Sequence, residues 1–444
     1  MSLMLRPSVE QADAARAYLR SALQSVADLG RLNIQGTAKN VTSVGIVGAG
    51  TMGVGIAMAC LDNGLSVTLL DQNPQALERG VERIRQTYLS QLQRKRITEE
   101  QLLARMDALR VGADWVLLCD CDLVIESVFE DLDLKKSIFQ KIDQMAKPGA
   151  VLATNTSGLD INAIASVTTR PESVVGAHFF SPAHVQKLLE VIKAENTSHD
   201  VLATLIGLSQ RIGKIPVLSE VYPGFIGNAV FRQCTREAHF LVEEGAFPHE
   251  VDQALTDFGY AMGVFAVHDL AGNDVGYQTR KKEIATRPAD RRWNDVILDL
   301  CDLGRLGQKS GLGWYRYDPG DRNPHIDMAV NDFLVARSEA MGIARRNIGT
   351  EEILKRCLLS MVNEGAKLLE KGVARRPSDI DLAFTLGYGY PKDRGGPMYF
   401  ADVLGIEYVH AQVVTLYETH GHWWTPSPLL SEMAKSGQRF RDWD

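Results

Sequence analysis

Apolar residues follow two different rhythms along this chain. Between residues 41 and 219, short apolar runs alternate with longer stretches in which apolar residues recur at helical spacing. The runs Val44–Val47, Val67–Leu70, Asp122–Val128, Val151–Thr156, Val174–Phe180, Leu188–Ile192 and Ile215–Leu218 predict strands. Residues 75–110 predict one or two long charged helices, Asp133–Met145 another, and a further helix reaches about Ala165. Strands and helices in alternation predict a doubly wound sheet with its binding crevice at the carboxyl ends of the strands. Glu130, Asn155, Ser157 and His178 fall at or near such ends. After Pro223 and Gly224 strands all but vanish, and Phe225–Gly245 opens a helical half.

That half contains a repeat. Val251-Asp252 matches Ile380-Asp381, Phe258-Gly259-Tyr260 matches Leu386-Gly387-Tyr388, and Asp269 to Gly272 matches Asp402 to Gly405, with a polar link at 318–327 between the copies. Two copies predict a duplicated helical domain, since a solenoid needs about three or more repeats. Residues 8–30 predict a helix, broken by Gly30 and Gly36 and standing with its linker outside the first domain. The expected organisation is an N-terminal helix and linker (1–40), an α/β domain (41–219), and two all-α copies (220–320 and 328–444).

The first strand, helix and second strand enclose a specific pattern: Gly48-Ala-Gly50-Thr-Met-Gly53 follows the Val44–Val47 run, and the Val67–Leu70 run ends at Asp71. The first glycine allows the tight turn, the second lets backbone approach a pyrophosphate, and the third lets helix and strand pack closely. An anion then sits on the helix N-terminus. Asp71, about 20 residues on, can accept from a ribose 2′-hydroxyl and would repel a 2′-phosphate. The pattern therefore predicts a Rossmann-type dinucleotide site with NAD favoured over NADP, since Gln72, Asn73 and Pro74 bring no arginine to the acid.

Composition narrows the class further. Of 444 residues, 23% are charged and 45% hydrophobic, and the net charge of −7 comes without a long basic run. Nucleic acid and anionic membrane surfaces are thus not expected as partners. The basic residues of the 75–110 helices predict mainly a solvated face, a subset of which could meet an anionic ligand. The cysteines, Cys60, Cys119, Cys121, Cys234, Cys301 and Cys357, lack paired metal-ligand spacing, so reduced thiols in a cytoplasmic protein are expected. No apolar run approaches the ~20 residues of a spanning helix.

Hydride transfer from an alcohol carbon needs a base for the hydroxyl proton and donors for the developing carbonyl oxygen. His178 suits the first task, and Glu190, on the expected neighbouring strand, could orient it. Residue type alone leaves alternatives open: a core histidine, an ion-paired glutamate, Ser157 as a helix cap and Asn228 as an ordinary helix-face residue.

The motifs GIVGAGTMGVGIA, VIESVFEDLDLKKSIF, NTSGLDI, HFFSPAHVQKLLEVI, PGFIGN, GRLGQKSGLGWYRY and RPSDIDLAFTLGYGYP, in that order from about Val41 to Gly405, together resemble the 3-hydroxyacyl-CoA dehydrogenase family. The resemblance implies NAD-dependent, reversible oxidation of an (S)-3-hydroxyacyl-CoA to the 3-oxoacyl-CoA, with the acyl-CoA placed between the nucleotide and helical domains. It makes His178 the base, Glu190 its partner, and Ser157 and Asn228 the residues at the substrate oxygen. It also implies cofactor contacts at Asp71, Gln72, Glu130, Lys135 and Ser181, besides Gly48, Gly50 and Gly53. Ala229 stands where relatives usually carry Arg, and Asn273 and Tyr277 where they often carry Leu and Trp. Residues 8–40 resemble the linker that follows the hydratase domain of the multifunctional relatives, so no hydratase activity is expected of this chain, and the helical duplication favours a monomer. A dehydrogenase of free hydroxy acids, or a non-catalytic NAD-binding protein like certain crystallins that resemble the family, are the competing expectations.

Overall fold

A computed structural model of the chain describes residues 6–443, which divide into two compact units. The first to consider comprises Leu19–Ala229 with Lys371–Gly387. Its sheet has eight strands in the order β3-β2-β1-β4-β5-β6-β7-β8: β1 (Ser43–Val47), β2 (Ser66–Leu70), β3 (Leu109–Gly112), β4 (Leu123–Glu126), β5 (Val151–Thr154), β6 (Val174–Phe179), β7 (Leu188–Lys193) and β8 (Ile215–Glu220). Helix α1 (Val9–Ser25) precedes the sheet, and α2 (Thr51–Leu61), α3 (Pro74–Gln93), α4 (Glu99–Asp107), α5 (Leu132–Met145), α6 (Ile161–Ala165) and α7 (His199–Arg211) connect its strands. Strands β4, β5 and β6 are buried at every position, as expected of strands covered on both faces.

All neighbouring pairs are parallel except β6 and β7, which run antiparallel with His178 opposite Glu190. The strand β3 lies within or just beyond the stretch expected to be helical. It is a short edge strand whose Arg110 and Val111 are exposed, so neither charge nor periodicity marks it. The linker after α1 is docked rather than apart. Leu32 and Ile34 join the same apolar cluster as Val44, Leu69 and Val201. The backbone N–H groups of Gln35, Thr37 and Lys39 donate to His199 Nδ1, Asp200 Oδ1 and Thr204 Oγ1 of α7 at 2.8–2.9 Å. A Cβ on Gly36 would lie 2.2 Å from His199 O, so only glycine passes there.

The second unit holds Val230–Glu370 and Tyr388–Asp444, together with the start of α1. Helix α8 (Gly227–Glu244) leads into it, followed by α9 (Pro248–Phe258), α10 (Val264–Ala271), α11 (Tyr277–Glu283), α12 (Val296–Asp302), α13 (Met328–Ala340) and α14 (Thr350–Glu370). After α15 (Pro377–Gly387), which packs on β7 and β8 of the sheet unit, come α16 (Pro397–Leu404), α17 (Ile406–His420) and α18 (Pro428–Ser436). Residues 371–387, assigned by their sequence to the second helical copy, thus belong by contact to the sheet unit. Glu220 N donates to Val373 O at 3.0 Å along the β8 edge.

Buried carboxylates organise the helical unit. Asp269 accepts from the N–H groups of Trp314 and Tyr315 (both 2.9 Å), from the Tyr317 hydroxyl (3.0 Å) and from Asn273 Nδ2 (2.9 Å). Its repeat counterpart, Asp402, likewise accepts from two successive N–H groups, those of Phe440 (2.8 Å) and Arg441 (3.0 Å). Asp252 takes the N–H groups of Phe265 and Ala266 and the Tyr315 hydroxyl, all at 2.9 Å; burial nevertheless pushes its carboxyl up to about 6. Asn273, one of the unusual residues, belongs to this network, and the Tyr277 hydroxyl donates to Asp302. A Cβ on Gly313 would stand 1.9 Å from Asp269 Oδ1, which explains a glycine in the Gly311-Leu-Gly313 turn.

Asp269→Ala would strand these buried donors and should cost about 3–5 kcal/mol, lowering the melting temperature by roughly 10 °C. Gly313→Ala should act in the same direction by displacing the carboxylate. An unchanged thermal midpoint in both variants would show that the network does not hold the unit together.

Candidate active site

The turn after β1 carries the geometry a pyrophosphate requires. Gly48 has φ +111°, and a Cβ there would fall 2.5 Å from Ser127 O. At Gly53 a Cβ would meet Gly48 O at 1.9 Å, so α2 can pack this close only with glycine. At Gly50, the residue preceding α2, a Cβ would have nothing within 4 Å: the glycine faces open space. Val54 N–H bonds to Gly50 O at 3.0 Å, so the N–H groups of Thr51, Met52 and Gly53 have no intrahelical acceptor among the described residues and are the donors of a helix start. These residues fit a dinucleotide. Asp71, at the end of β2, accepts from Ala49 N at 2.8 Å and from Asn73 N at 2.9 Å, so its carboxylate is fixed against the turn with lone pairs to spare. Gln72 follows it and donates to Ala113 O at 2.6 Å.

A second cluster lies past the ends of β4 and β5. Glu126 is fully buried, and its carboxylate binds Lys135 Nζ, Val128 N and Thr154 Oγ1, each at 2.7 Å. Lys135, 1% exposed, also stands 3.4 Å from Glu130 Oε2. Glu130 Oε1 accepts from Thr156 Oγ1 (2.7 Å), Ser157 N (2.7 Å) and Ser157 Oγ (2.9 Å). Burial opposes the Glu130 charge, but Lys135 and these hydrogen bonds outweigh it and hold the carboxyl below its ordinary value. Asn155 Oδ1 accepts Phe179 N at 2.9 Å, tying the NTS segment to the end of β6.

His178, on β6, and Glu190, on β7, are opposite one another across the antiparallel pair, 7% and 0% exposed. His178 Nδ1 is 2.7 Å from Glu190 Oε2, and Glu190 Oε1 accepts Gly227 N at 2.8 Å. With Nδ1–H donated to the carboxylate, Nε2 is the nitrogen able to take up a proton. The next residue along, Asn228, donates from Nδ2 to the Ser157 carbonyl at 3.0 Å. Two successive residues at the start of α8 therefore join the histidine pair to the serine loop. His178, Glu190, Ser157, Asn228, Glu130 and Lys135 come together as one connected set, while Asp71 and Gln72 stand at the glycine turn. Ser181, exposed in the segment after β6, makes none of these bonds.

One residue escaped the sequence reading. Phe225 is fully buried with φ +54°, unusual for a bulky side chain, and its ring centroid lies 6.0 Å from that of His178. Its N–H donates to Tyr222 O at 2.8 Å, closing the turn that delivers Gly227 and Asn228. The only sequence signal was the Pro223-Gly224 pair before it, which marks a turn but not the conformation of the residue that follows.

A glycine turn on a doubly wound sheet and a buried histidine–carboxylate pair on adjoining strands define the class of nicotinamide-dependent dehydrogenases. The chain belongs to the 3-hydroxyacyl-CoA dehydrogenase family: residues 43–221 match its NAD binding domain, and residues 224–317 and 353–441 both match its C-terminal domain. The double match accounts for the repeated helical half. The peroxisomal bifunctional enzyme of Danio rerio is 40% identical over 417 residues, covering 90% of this chain and 57% of that protein. The chain thus spans a little over half the length of the curated relatives it matches. Among solved structures, a 3-hydroxybutyryl-CoA dehydrogenase from Escherichia coli K12 superposes with a TM-score of 0.77 at 29% identity, over 90% of this chain and all of that one. The dehydrogenase part of multifunctional enzyme 1 from C. elegans gives 0.67 at 29% identity, over 97% and 98% of the two chains. No helix among the described residues is long and apolar enough to cross a membrane.

Gly50→Ala would place a methyl group where the pyrophosphate needs the backbone, and should raise the dissociation constant for NAD by on the order of 10-fold or more, as loss of one charge-assisted hydrogen bond would. Fluorescence titration measures this directly. Unaltered affinity would mean that the cofactor does not use this turn.

Proposed function

We propose that the chain oxidises (S)-3-hydroxyacyl-CoA to 3-oxoacyl-CoA, reversibly, with NAD. The observation that carries this reading is the buried His178–Glu190 pair, 2.7 Å apart and joined through Gly227 and Asn228 to the Ser157 loop. Bound NAD supplies the hydride acceptor, held by Gly48, Gly50, Gly53 and Asp71, with Gln72, Glu130 and Ser181 as further contacts and Lys135 acting through Glu130.

His178 Nε2 takes the C3 hydroxyl proton as the C3 hydride leaves, and Glu190 holds the ring and stabilises the imidazolium that forms. Ser157 and Asn228 position the oxygen. The Ser157 hydroxyl, now on Glu130, can rotate to the substrate, and Asn228 stands beside it with Nδ2 on the Ser157 carbonyl. In the reverse direction His178 returns the proton as the carbonyl is reduced.

The relatives' peroxisomal names favour a peroxisomal setting over the cytoplasmic one expected from cysteine usage, and imaging of the tagged chain in its own cell decides between them. A monomer remains the proposed state, on the strength of the helical duplication; sedimentation at several concentrations tests it.

His178→Gln should lower kcat by roughly 100- to 10,000-fold, the usual range for a general base, without altering NAD affinity. Glu190→Gln should lower kcat as well. Full turnover by His178→Gln would refute the assignment. Acetoacetyl-CoA and free acetoacetate, each assayed with NADH, separate thioester from free-acid chemistry, since equal rates would remove the CoA part of the proposal.

A further inference from the structure

The helix α3 runs past the phosphate turn at unusually short range. A Cβ on Gly80 would lie 3.1 Å from both Ala49 O and Val54 Cγ2, so the glycine is what lets α3 approach the Gly48–Gly53 turn and the first turn of α2. Arg83 is one helical turn further along, on the same face as Gly80 and next to buried Ile84. Its Nη1 donates to Thr51 Oγ1 at 3.1 Å. Thr51 is the first residue of α2 and directly follows Gly50.

Arg83 is exposed, and it enters no ion pair among the described residues. Its guanidinium has five N–H donors in a planar fork, of which the threonine engages one. A cation fixed beside the free N–H groups of a helix start adds to the field that already favours an anion there. The basic stretch of α3 is thus not uniform solvated charge: this one residue is aimed at the turn by the glycine one turn before it.

We propose that Arg83 is a cofactor-binding residue that contacts the pyrophosphate of NAD from α3, with Gly80 and Thr51 setting its position. The contact supplies binding to the bridging phosphates and nothing to the reaction itself. It rests on the NAD site rather than on the substrate assignment, so binding measurements test it whether or not acyl-CoA turnover is found.

The test is a titration of the full chain and its Arg83→Gln variant with NAD, NADP, ADP and adenosine. Arg83→Gln should weaken NAD and ADP by about 5- to 10-fold, the scale of a partly screened charge-assisted contact, and leave adenosine unchanged. Arg83→Lys should recover part of the loss, added salt should narrow the gap, and Arg79→Gln, an exposed arginine of the same helix, should behave as wild type. Equal affinity of wild type and Arg83→Gln for NAD and ADP would overturn the proposal. So would an equal loss for adenosine, which would mark a distortion of the nucleoside site. A loss confined to NADP would assign the arginine to a 2′-phosphate instead.

Discussion

The arrangement depends on one buried carboxylate divided between two partners. Glu190 is fully enclosed by protein, where an unpaired charge would be costly, and its oxygens go to His178 Nδ1 and to the backbone N–H of Gly227. The first bond fixes the ring and its tautomer. The second fixes the beginning of α8, and through the adjacent Asn228 it fixes the Ser157 loop. A change at Glu190 therefore alters the His178 ring and the Asn228–Ser157 contact together.

The same economy recurs in the helical unit with a different purpose. Asp269 and Asp402 each bind two successive backbone N–H groups from a later segment, Trp314-Tyr315 in one copy and Phe440-Arg441 in the other. The repeat found by matching sequence thus extends to the bonds its acids make. Asn273 departs from the usual family residue, yet it serves this anchor and also donates to Arg305 O at 3.1 Å, so its consequence is first for the folding of the unit.

Much of this was legible in the residues. The glycine turn, the acid at the end of β2 and the strand carrying His178 all leave strong local signatures: small residues at fixed offsets and wholly apolar runs. Features set by long-range packing did not. The edge strand β3 has an exposed, charged pattern that resembles the end of a helix. Residues 371–387 carry a helical repeat but pack against β7 and β8, a choice made by partners more than 150 residues away in sequence. The docked linker at 31–41, the left-handed Phe225 and the aim of Arg83 likewise become visible only when neighbours are in place.

The lone reversal of direction in the sheet has a further consequence. Side chains on a strand alternate between its faces, so the histidine and its acid meet only because β6 and β7 pair in one register. Sliding either strand by a single residue would turn one partner to the opposite face of the sheet. The pair is therefore written into main-chain pairing in the middle of the fold, out of reach of loop exchange. Insertions and deletions in the surrounding connections can reshape what the enzyme admits while the histidine–carboxylate pair is carried forward intact.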